Sequence, residues 1–462
     1  MFPTETYVER RNRLRQQVSS GLILLLGNDL SPMNYADNAY PFRQDSTFLY
    51  FLGLDDPGLA AVIDIDEDTE CLFGDDPTVE EVVWTGPQTP LRKKAQRAGV
   101  ARTAPSSDLE SVLKKASAAG RTIHYLPPYR ADHILKISQI LSLPPDTVPG
   151  QVSETLIRAV VAQRSVKSPQ EIEQIEAALD ISHEMHTVAM KMARPGTAER
   201  EVAGTMEGIA IARGGHLAYP TIFSIHGETL HNPFHHNMLK AGDIVVSDAG
   251  AESSSRYASD ITRTIPIGGQ FSQKQREIYI IVLEALEKAI AAVQPGVEFR
   301  KIHRLAATIL VTGLKDIGLV RGDPAEAVEA GVHTLFFQCG LGHMMGLDVH
   351  DMENLGEEYV GYTDTIRKNP AFGWRSLRLG KALEPGYVVT VEPGIYFIPT
   401  LIDQWQAEGK NEAFVNYDKV EEYRDFGGVR IEDNILVTET GYRILGRPIA
   451  KSIAEVEALA SA

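Results

Sequence analysis

Two aspartates, Asp248 and Asp260, lie in the stretch VSDAGAESSSRYASDITRTIP, which otherwise has the pattern of two half-buried β-strands. If these strands form a hairpin around a loop of three serines, residues 253–255, then Asp248 stands directly opposite Asp260. Opposite Cβ atoms in such a pair are ~5 Å apart, so two ionised carboxylates would repel each other. One or two hard divalent cations would remove the repulsion and create a metal site. The alternative from this stretch alone is that one or both aspartates face solvent.

Three further stretches each place a chemically active side chain in an apolar strand or a glycine-rich loop. His343 lies in CGLGHMMGLDVHD, whose glycines allow a close backbone approach. Glu392 lies inside the apolar strand VVTVEPGIYF, and glutamate is rarely buried without a partner. Glu432 lies in the strand FGGVRIEDNILVT on the same face as Arg430, so a simple salt bridge between these two is the alternative. Together with the two aspartates, these residues give four carboxylates and one imidazole, which point to a common centre.

Composition excludes several other classes of function. The chain has 462 residues, of which 43% are apolar, so it is long enough for two or three domains with sizeable cores. Its net charge, 45 − 62 = −17, argues against non-specific binding to nucleic acid and against docking on anionic membranes. The two cysteines, Cys71 and Cys339, are far apart, which rules out a disulfide framework and favours a reducing compartment. The first twenty residues contain no long apolar run, so we predict no signal peptide, no transmembrane span and a cytoplasmic location.

The order of elements predicts two domains. Residues 1–160 begin with a helical pattern over 5–19 and continue with strand patterns in GLILLLGN, STFLYFLGL, AAVIDID and ECLFG. Helices alternating with strands are typical of an α/β domain. The proline-rich segment SLPPDTVPGQ that follows has the composition of a connector, and we place the domain boundary near residue 160.

Residues 161–462 combine long helices with hairpins and therefore predict a mixed α+β core. Ser168 is a suitable N-cap for a helix that ends at Pro195. Further helices are predicted around 272–293 and 299–315, and VVTVEPGIYF and GGVRIEDNILVT are predicted as strands.

The motifs DAG…SDITRT, GLGHMMGLDVHD, TVEPGIYF and GGVRIEDN resemble those of the metallopeptidase family with the "pita-bread" fold, which includes methionine aminopeptidase, aminopeptidase P and prolidase. The segment YPFRQDSTFLYFLGLDDP is similar to the N-terminal domain that aminopeptidase P and prolidase share, and RSVKSPQEIEQIEAA resembles the start of the catalytic domain. The resemblance covers most of the chain. It implies an N-terminal α/β domain followed by a pita-bread, methionine aminopeptidase-like catalytic domain.

The resemblance also implies a set of five metal ligands, carried over motif by motif: Asp248, Asp260, His343, Glu392 and Glu432. In this family pattern Asp248 chelates one ion, Asp260 and Glu432 bridge two ions, and His343 and Glu392 complete the second site. The oxygen-rich set favours two Mn²⁺ ions, with Co²⁺ or Zn²⁺ as alternatives. The chain departs from the family in one respect, because the two aspartates are twelve residues apart here (260 − 248) instead of the usual eleven.

The roles of the remaining candidates follow from the same resemblance. Glu392 is predicted to act as the general base that takes a proton from water and delivers it to the leaving nitrogen. His231 and His350 are predicted to lie on the substrate side, where His350 donates to the scissile carbonyl or to the oxyanion. Arg430 is predicted to support the ligands or the substrate.

Two features of the sequence favour prolidase, a dipeptidase for Xaa-Pro, within this family. Glu432 follows Glu392 by 40 residues, and Arg378 precedes Glu392 by fourteen, where prolidases carry an arginine that grips the free carboxylate of a dipeptide. The alternative is an aminopeptidase P that acts on longer proline-containing peptides, and a third possibility is a non-catalytic peptide- or partner-binding member of the fold. The presence of all five ligands argues against that third possibility. The family further implies a homodimer.

Overall fold

The chain folds into two compact units. The structure is a computed structural model that describes residues 2–462. One unit contains the chain up to Arg164 together with residues 352–359, and the other contains residues 165–351 and 360–462. The domain boundary predicted near residue 160 stays a prediction, because compactness does not test whether either part folds alone.

The first unit is built on a mixed five-stranded sheet. Its strands are β1 (Leu22–Leu26), β2 (Ala60–Asp64), β3 (Thr69–Phe73), β4 (Arg102–Ala104) and β5 (Ile123–His124). The order across the sheet is β4-β3-β2-β1-β5, in which the pairs β1–β2 and β2–β3 are antiparallel and β1–β5 and β3–β4 are parallel. The helices are α1 (Thr4–Val18), α2 (Ser46–Leu52), α3 (Val79–Thr85), α4 (Leu91–Ala98), α5 (Asp108–Ala118), α6 (Ala131–Leu141) and α7 (Glu154–Ser165).

Helix α2 corrects one prediction, because STFLYFLGL was expected to be a strand. All seven residues of α2 are buried, so the segment shows no periodicity that distinguishes a helix from a buried strand. The decisive residues lie at its ends. The side chain of Asp45 accepts a hydrogen bond from the Phe48 N–H at 2.8 Å, and Gly53 ends the helix in the left-handed region at φ +65°.

The second unit contains long helices and three small sheets. Its helices are α8 (Pro169–Met192), α9 (Glu199–Ala212), α10 (Gln273–Ala291), α11 (Phe299–Asp316), α12 (Pro324–Glu329), α14 (Pro399–Ala407), α15 (Tyr417–Glu421) and α16 (Ile453–Ser461), whereas three of the four residues of α13 (Glu357–Val360) belong to the first unit. The strands are β6 (Ile222–Ser224), β7 (Ile244–Asp248), β8 (Thr262–Pro266), β9 (Val388–Val391), β10 (Gly394–Tyr396), β11 (Gly428–Arg430), β12 (Asp433–Val437) and β13 (Tyr442–Ile444). The sheet orders are β6-β7-β8, β13-β12-β9 and β10-β11. The helices predicted at 272–293 and 299–315 are confirmed as α10 and α11.

The β7–β8 hairpin does not have the predicted register. Asp248 pairs with Thr262, so Asp260 lies diagonally across the ladder from Asp248 and not directly opposite it. The turn still contains three residues, but it is shifted by one position to 254–256, because the Ser253 N–H donates to the Tyr257 carbonyl at 2.8 Å. Position 260 keeps the same parity as position 262, so the slip of two residues leaves both carboxylates on one face of the ladder.

The sequence predicted that Glu392 and Glu432 lie inside continuous strands. In the structure both residues lie at breaks between strands. Glu392 separates β9 from β10, and Glu432 separates β11 from β12. Val391 pairs with Asp433 on one side of the breaks, and Gly394 pairs with Arg430 on the other side. Both pairs share one register, which places the two glutamates opposite each other where the ladder changes from one sheet to the next.

A pair of buried histidines sits away from these strands. His303 of α11 and His333 are each 1% exposed, and both rings contact the edge or face of Trp374. Within residues 2–462, none of their four ring nitrogens has a hydrogen-bond partner. Burial lowers the pKa of His303 to about 3 and that of His333 to about 4, so both rings are held neutral.

These histidines should make the fold sensitive to acid. In the unfolded chain each ring takes up a proton near pH 6.5, whereas the folded pKa is depressed, so stability is complete above pH 6.5 and falls as the pH is lowered. When the pH is lowered from 7.5 to 5.5, protonation of each ring in the unfolded chain should reduce the free energy of unfolding by about 1.4 kcal/mol. The replacement His303→Leu should remove about half of this loss in urea unfolding curves. An unchanged pH dependence in the variant would contradict this account.

Candidate metal centre

All nine side chains that the sequence singled out line one cavity of about 550 Å³ in the second unit. They are the predicted ligands Asp248, Asp260, His343, Glu392 and Glu432, and the predicted substrate-side residues His231, His350, Arg378 and Arg430. The cavity also has an apolar wall, to which Ile222, Leu230 and Val349 contribute. The structure therefore brings together residues that are up to 201 positions apart (432 − 231) in the sequence.

Each predicted ligand comes from a strand end or a loop. Asp248 ends β7, and Asp260 lies two residues before β8. The two glutamates occupy the strand breaks, where their backbone N–H groups leave the ladder: the Glu392 N–H donates to Leu341 O at 2.8 Å and the Glu432 N–H to Thr262 O at 3.1 Å. These bonds hold the breaks in place, because a buried N–H without a partner would be costly.

His343 lies between two of the carboxylates. Its Nε2 is 3.3 Å from Asp260 Oδ2 and 3.4 Å from Glu392 Oε1. Its other ring nitrogen, Nδ1, is 3.0 Å from the Met344 carbonyl, which fixes Nδ1 as the protonated nitrogen when the ring is neutral and leaves Nε2 to bind. Ligand atoms of Asp260, His343 and Glu432 all lie within 4.8 Å of one another.

Two buried side chains hold the aspartates. The hydroxyl of Tyr219 is 2.6 Å from Asp248 Oδ1 and 2.5 Å from Asp260 Oδ1, so one phenol bridges both carboxylates. Arg430 donates to Asp248 Oδ2, to Thr262 Oγ1 at 3.0 Å and to the Tyr396 hydroxyl at 2.9 Å. The alternative of an Arg430–Glu432 salt bridge is therefore wrong, since the guanidinium pairs with Asp248.

The centre carries more negative charge than its protein partners offset. Burial raises the pKa of Glu392 to about 7, and burial together with neighbouring carboxylates raises the pKa of Asp248 and of Glu432. Burial lowers the pKa of His343, but the hydrogen bond that the ring donates to Asp260 and the charge of Glu392 outweigh burial and raise the pKa overall. Glu432 Oε2 accepts from Thr262 at 2.8 Å, whereas Oε1 has no hydrogen-bond partner within residues 2–462.

These observations fit a divalent metal ion. Carboxylate oxygens and one imidazole nitrogen form a donor set that hard and borderline cations prefer. A cation would remove the mutual repulsion of the carboxylates and would give the unpaired Glu432 oxygen a partner.

Two residues of the centre have no signal among the sequence motifs. Tyr219 was overlooked because a single tyrosine in LAYPT carries no spacing pattern. Thr390 was also overlooked, although it stands two positions before Glu392 on the same face of β9. Its hydroxyl donates to Glu392 Oε1 at 3.1 Å and accepts from the His343 N–H at 3.1 Å. An alternating threonine next to a candidate ligand is the one feature that could have found it.

The fold and the cavity define a metal-dependent hydrolase with a pita-bread catalytic domain. The chain belongs to metallopeptidase family M24, whose sequence model matches residues 173–439, and the aminopeptidase P N-terminal domain matches residues 7–124. The predicted combination of an N-terminal α/β domain with a pita-bread domain is thereby confirmed. The cluster of Asp260, His343 and Glu432 is the candidate site for the metal of this family.

Relatives match along their whole length. A probable Xaa-Pro aminopeptidase of Aspergillus clavatus is 32% identical, over 100% of this chain and 98% of the relative. The Xaa-Pro aminopeptidase of Escherichia coli is 32% identical, over 98% of this chain and 97% of the relative. The structure of zinc-substituted E. coli aminopeptidase P in complex with product superimposes with a TM-score of 0.82 at 30% identity, covering 100% of this chain and 98% of that chain.

Removal of metal should destabilise the second unit. Without a cation the buried carboxylates repel each other, so treatment with EDTA should lower the thermal midpoint by ~5 °C or more, and added Mn²⁺ should restore it. The variant Asp260→Asn removes one of the repelling charges and should unfold at a higher temperature than the wild type when both are free of metal. If Mn²⁺ raised the midpoint of this variant as much as that of the wild type, the cluster would not be the metal site.

The Arg430 contacts should be worth more than those of an exposed arginine. Arg430→Met would remove the guanidinium that pairs with the buried Asp248 carboxylate and should lower the free energy of unfolding by about 3–5 kcal/mol. Arg443, which pairs with Glu176 at the surface, provides the matched control, and Arg443→Met should cost under about 1 kcal/mol. Urea unfolding of the Mn²⁺-loaded proteins measures both changes, and equal losses would contradict the difference in burial.

Proposed function

We propose that this protein is an Xaa-Pro aminopeptidase, which removes the N-terminal residue before proline from peptides longer than a dipeptide. The observation that carries the proposal is the full-length similarity to Xaa-Pro aminopeptidases, which spans both units of the chain. The sequence favoured prolidase, but these comparisons support the aminopeptidase alternative better. A structure of E. coli aminopeptidase P in complex with a substrate and another with the inhibitor Pro-Leu are among the similar structures.

Glu392 and Glu432 are 40 residues apart, which is one of the two features that favoured prolidase. The structure accounts for this separation without reference to the length of the substrate. The inserted residues form α14 and α15. Among the residues that line the cavity, none comes from positions 393–429. The insertion therefore does not shape the space available to a peptide.

The proposed ligands of two divalent ions, with Mn²⁺ favoured, are the five predicted residues at the cavity. When bound, such ions lower the pKa of water towards neutral and polarise the carbonyl of the scissile bond. Glu392 is proposed to act as the general base, since Thr390 orients its carboxylate and the side chain keeps 18% of its surface exposed at the cavity. His350 is proposed to donate to the scissile carbonyl, because its ring lies 4.3 Å from that of His343.

His231 and Arg378 are proposed to bind the peptide on either side of the reacting bond. His231 is exposed and Arg378 is half-buried, and both line the cavity. A guanidinium binds a carboxylate or a peptide carbonyl, so Arg378 suits the segment that follows proline in a longer substrate as well as the end of a dipeptide.

The predicted partner and location remain proposals. Both the homodimer and the cytoplasmic location rest on the sequence. Within residues 2–462 the structure contains no helix long and apolar enough to cross a membrane.

A comparison of peptide lengths tests the proposed function. With Mn²⁺, the enzyme should cleave the first bond of Ala-Pro-Ala with a kcat/KM at least ~10-fold above that for Ala-Pro, because the longer peptide makes additional contacts. Glu392→Gln should lower kcat by about 10²–10⁴-fold through loss of the base. A preference for the dipeptide would restore the prolidase hypothesis, and the absence of cleavage in metal-loaded protein would leave a binding protein.

A further inference from the structure

A second cavity of the same unit has the opposite charge to the rest of the protein. It measures about 720 Å³ and is lined by five cationic side chains, Arg300, Lys301, Arg304, Arg367 and Lys410. Glu329 is the one acidic residue of its lining, whereas the whole chain has 45 basic and 62 acidic residues. The chain as a whole has a net charge of −17, so this cleft is a local region of positive potential. Such a region attracts anions.

The cations of this basic cleft are only partly neutralised by the protein. Glu298 pairs with Arg300 at 2.6 Å and with Lys301 at 3.1 Å, and Glu329 pairs with Arg304. In the chain from residue 2 to residue 462, neither Arg367 nor Lys410 has an acidic partner within ion-pair distance. Two carboxylates therefore face five cations, which leaves an excess of three positive charges.

The cleft also has an aromatic wall. Trp374 and Phe372 line it, Phe372 is 40% exposed, and the Arg304 guanidinium lies 5.8 Å from the centre of the Trp374 ring. A planar apolar group could pack on such a wall while its charge met the guanidinium groups.

The basic cleft shares a piece of chain with the catalytic cavity. Trp374 and Leu377 line the cleft, whereas Ser376 and Arg378 line the cavity of the metal centre. Residues 374–378 therefore form a wall common to both, and a ligand in the cleft would lie against the segment that carries Arg378.

We propose that the basic cleft is a binding site for a small anion of the phosphate monoester class that carries a planar ring. The phosphate would bind among Arg304, Arg367 and Lys410, since guanidinium groups form charge-assisted hydrogen bonds with phosphate oxygens. Without the ligand, the Glu329 carboxylate is paired with the Arg304 guanidinium. The phosphate would replace this carboxylate as the partner of Arg304. The ring packs on Trp374 and Phe372.

Calorimetric titration of the Mn²⁺-loaded enzyme with adenosine monophosphate tests this site. Arg304→Gln and Arg367→Gln should each weaken binding about tenfold, because each removes a charge-assisted hydrogen bond. Glu329→Gln frees Arg304 and should strengthen binding several-fold. Arg367 has no ion-pair partner among residues 2–462, so its replacement reports on the ligand even if Arg304→Gln disturbs the packing on Trp374.

Matched ligands and variants decide the outcome. Adenosine, which lacks the charge, should bind at least tenfold more weakly, as should inorganic phosphate, which lacks the ring. Arg378→Gln is the control for binding in the catalytic cavity and should leave the affinity within twofold. The proposal is overturned by the absence of saturable binding, by equal affinity for adenosine, or by a loss of affinity in Arg378→Gln that the cleft variants do not share.

Discussion

The cost of burying several carboxylates in one cavity governs the second unit. Desolvation and mutual repulsion raise the pKa of Asp248, Glu392 and Glu432, so the protein must supply positive charge and hydrogen-bond donors at the same place. Arg430 and Tyr219 supply part of this, and both act chiefly on the aspartates. The glutamates receive less from the protein, which is why a divalent cation fits the centre.

The backbone conformation at the strand breaks brings the side chains of Glu392 and Glu432 to the same cavity, while the flanking residues remain paired in sheets. The paired strands break at positions 392 and 432, where the backbone N–H groups bond to Leu341 and Thr262. The ladder resumes in the same register beyond the breaks. The breaks thus let both glutamates bond their N–H groups outside the ladder while the strands on either side stay paired.

The proposed function rests on two kinds of evidence, the similarity to full-length relatives and the arrangement of residues around the cavity. Full-length relatives establish the family, and they favour an aminopeptidase over the dipeptidase that two local features suggested. The geometry explains why one of those features was weak evidence: the insertion between the glutamates lies outside the cavity lining, whereas Arg378 belongs to that lining. The proposal for the basic cleft rests on different side chains, because none of the cationic residues that line the cleft lines the cavity of the metal centre.

The sequence by itself determined the elements and the chemical types. Helices α10 and α11 and the N-cap of α8 followed from periodicity and capping residues, and the acidic and imidazole side chains stood out because apolar strands and glycine loops surround them. The tertiary structure decided which atoms meet. The hairpin register, the strand breaks and the choice of Asp248 as the partner of Arg430 depend on pairing between separate segments of the chain. A local pattern reflects the burial and spacing of residues within one segment. Strand register and side-chain pairing depend on the interactions between segments, so they follow from the free energy of the whole fold.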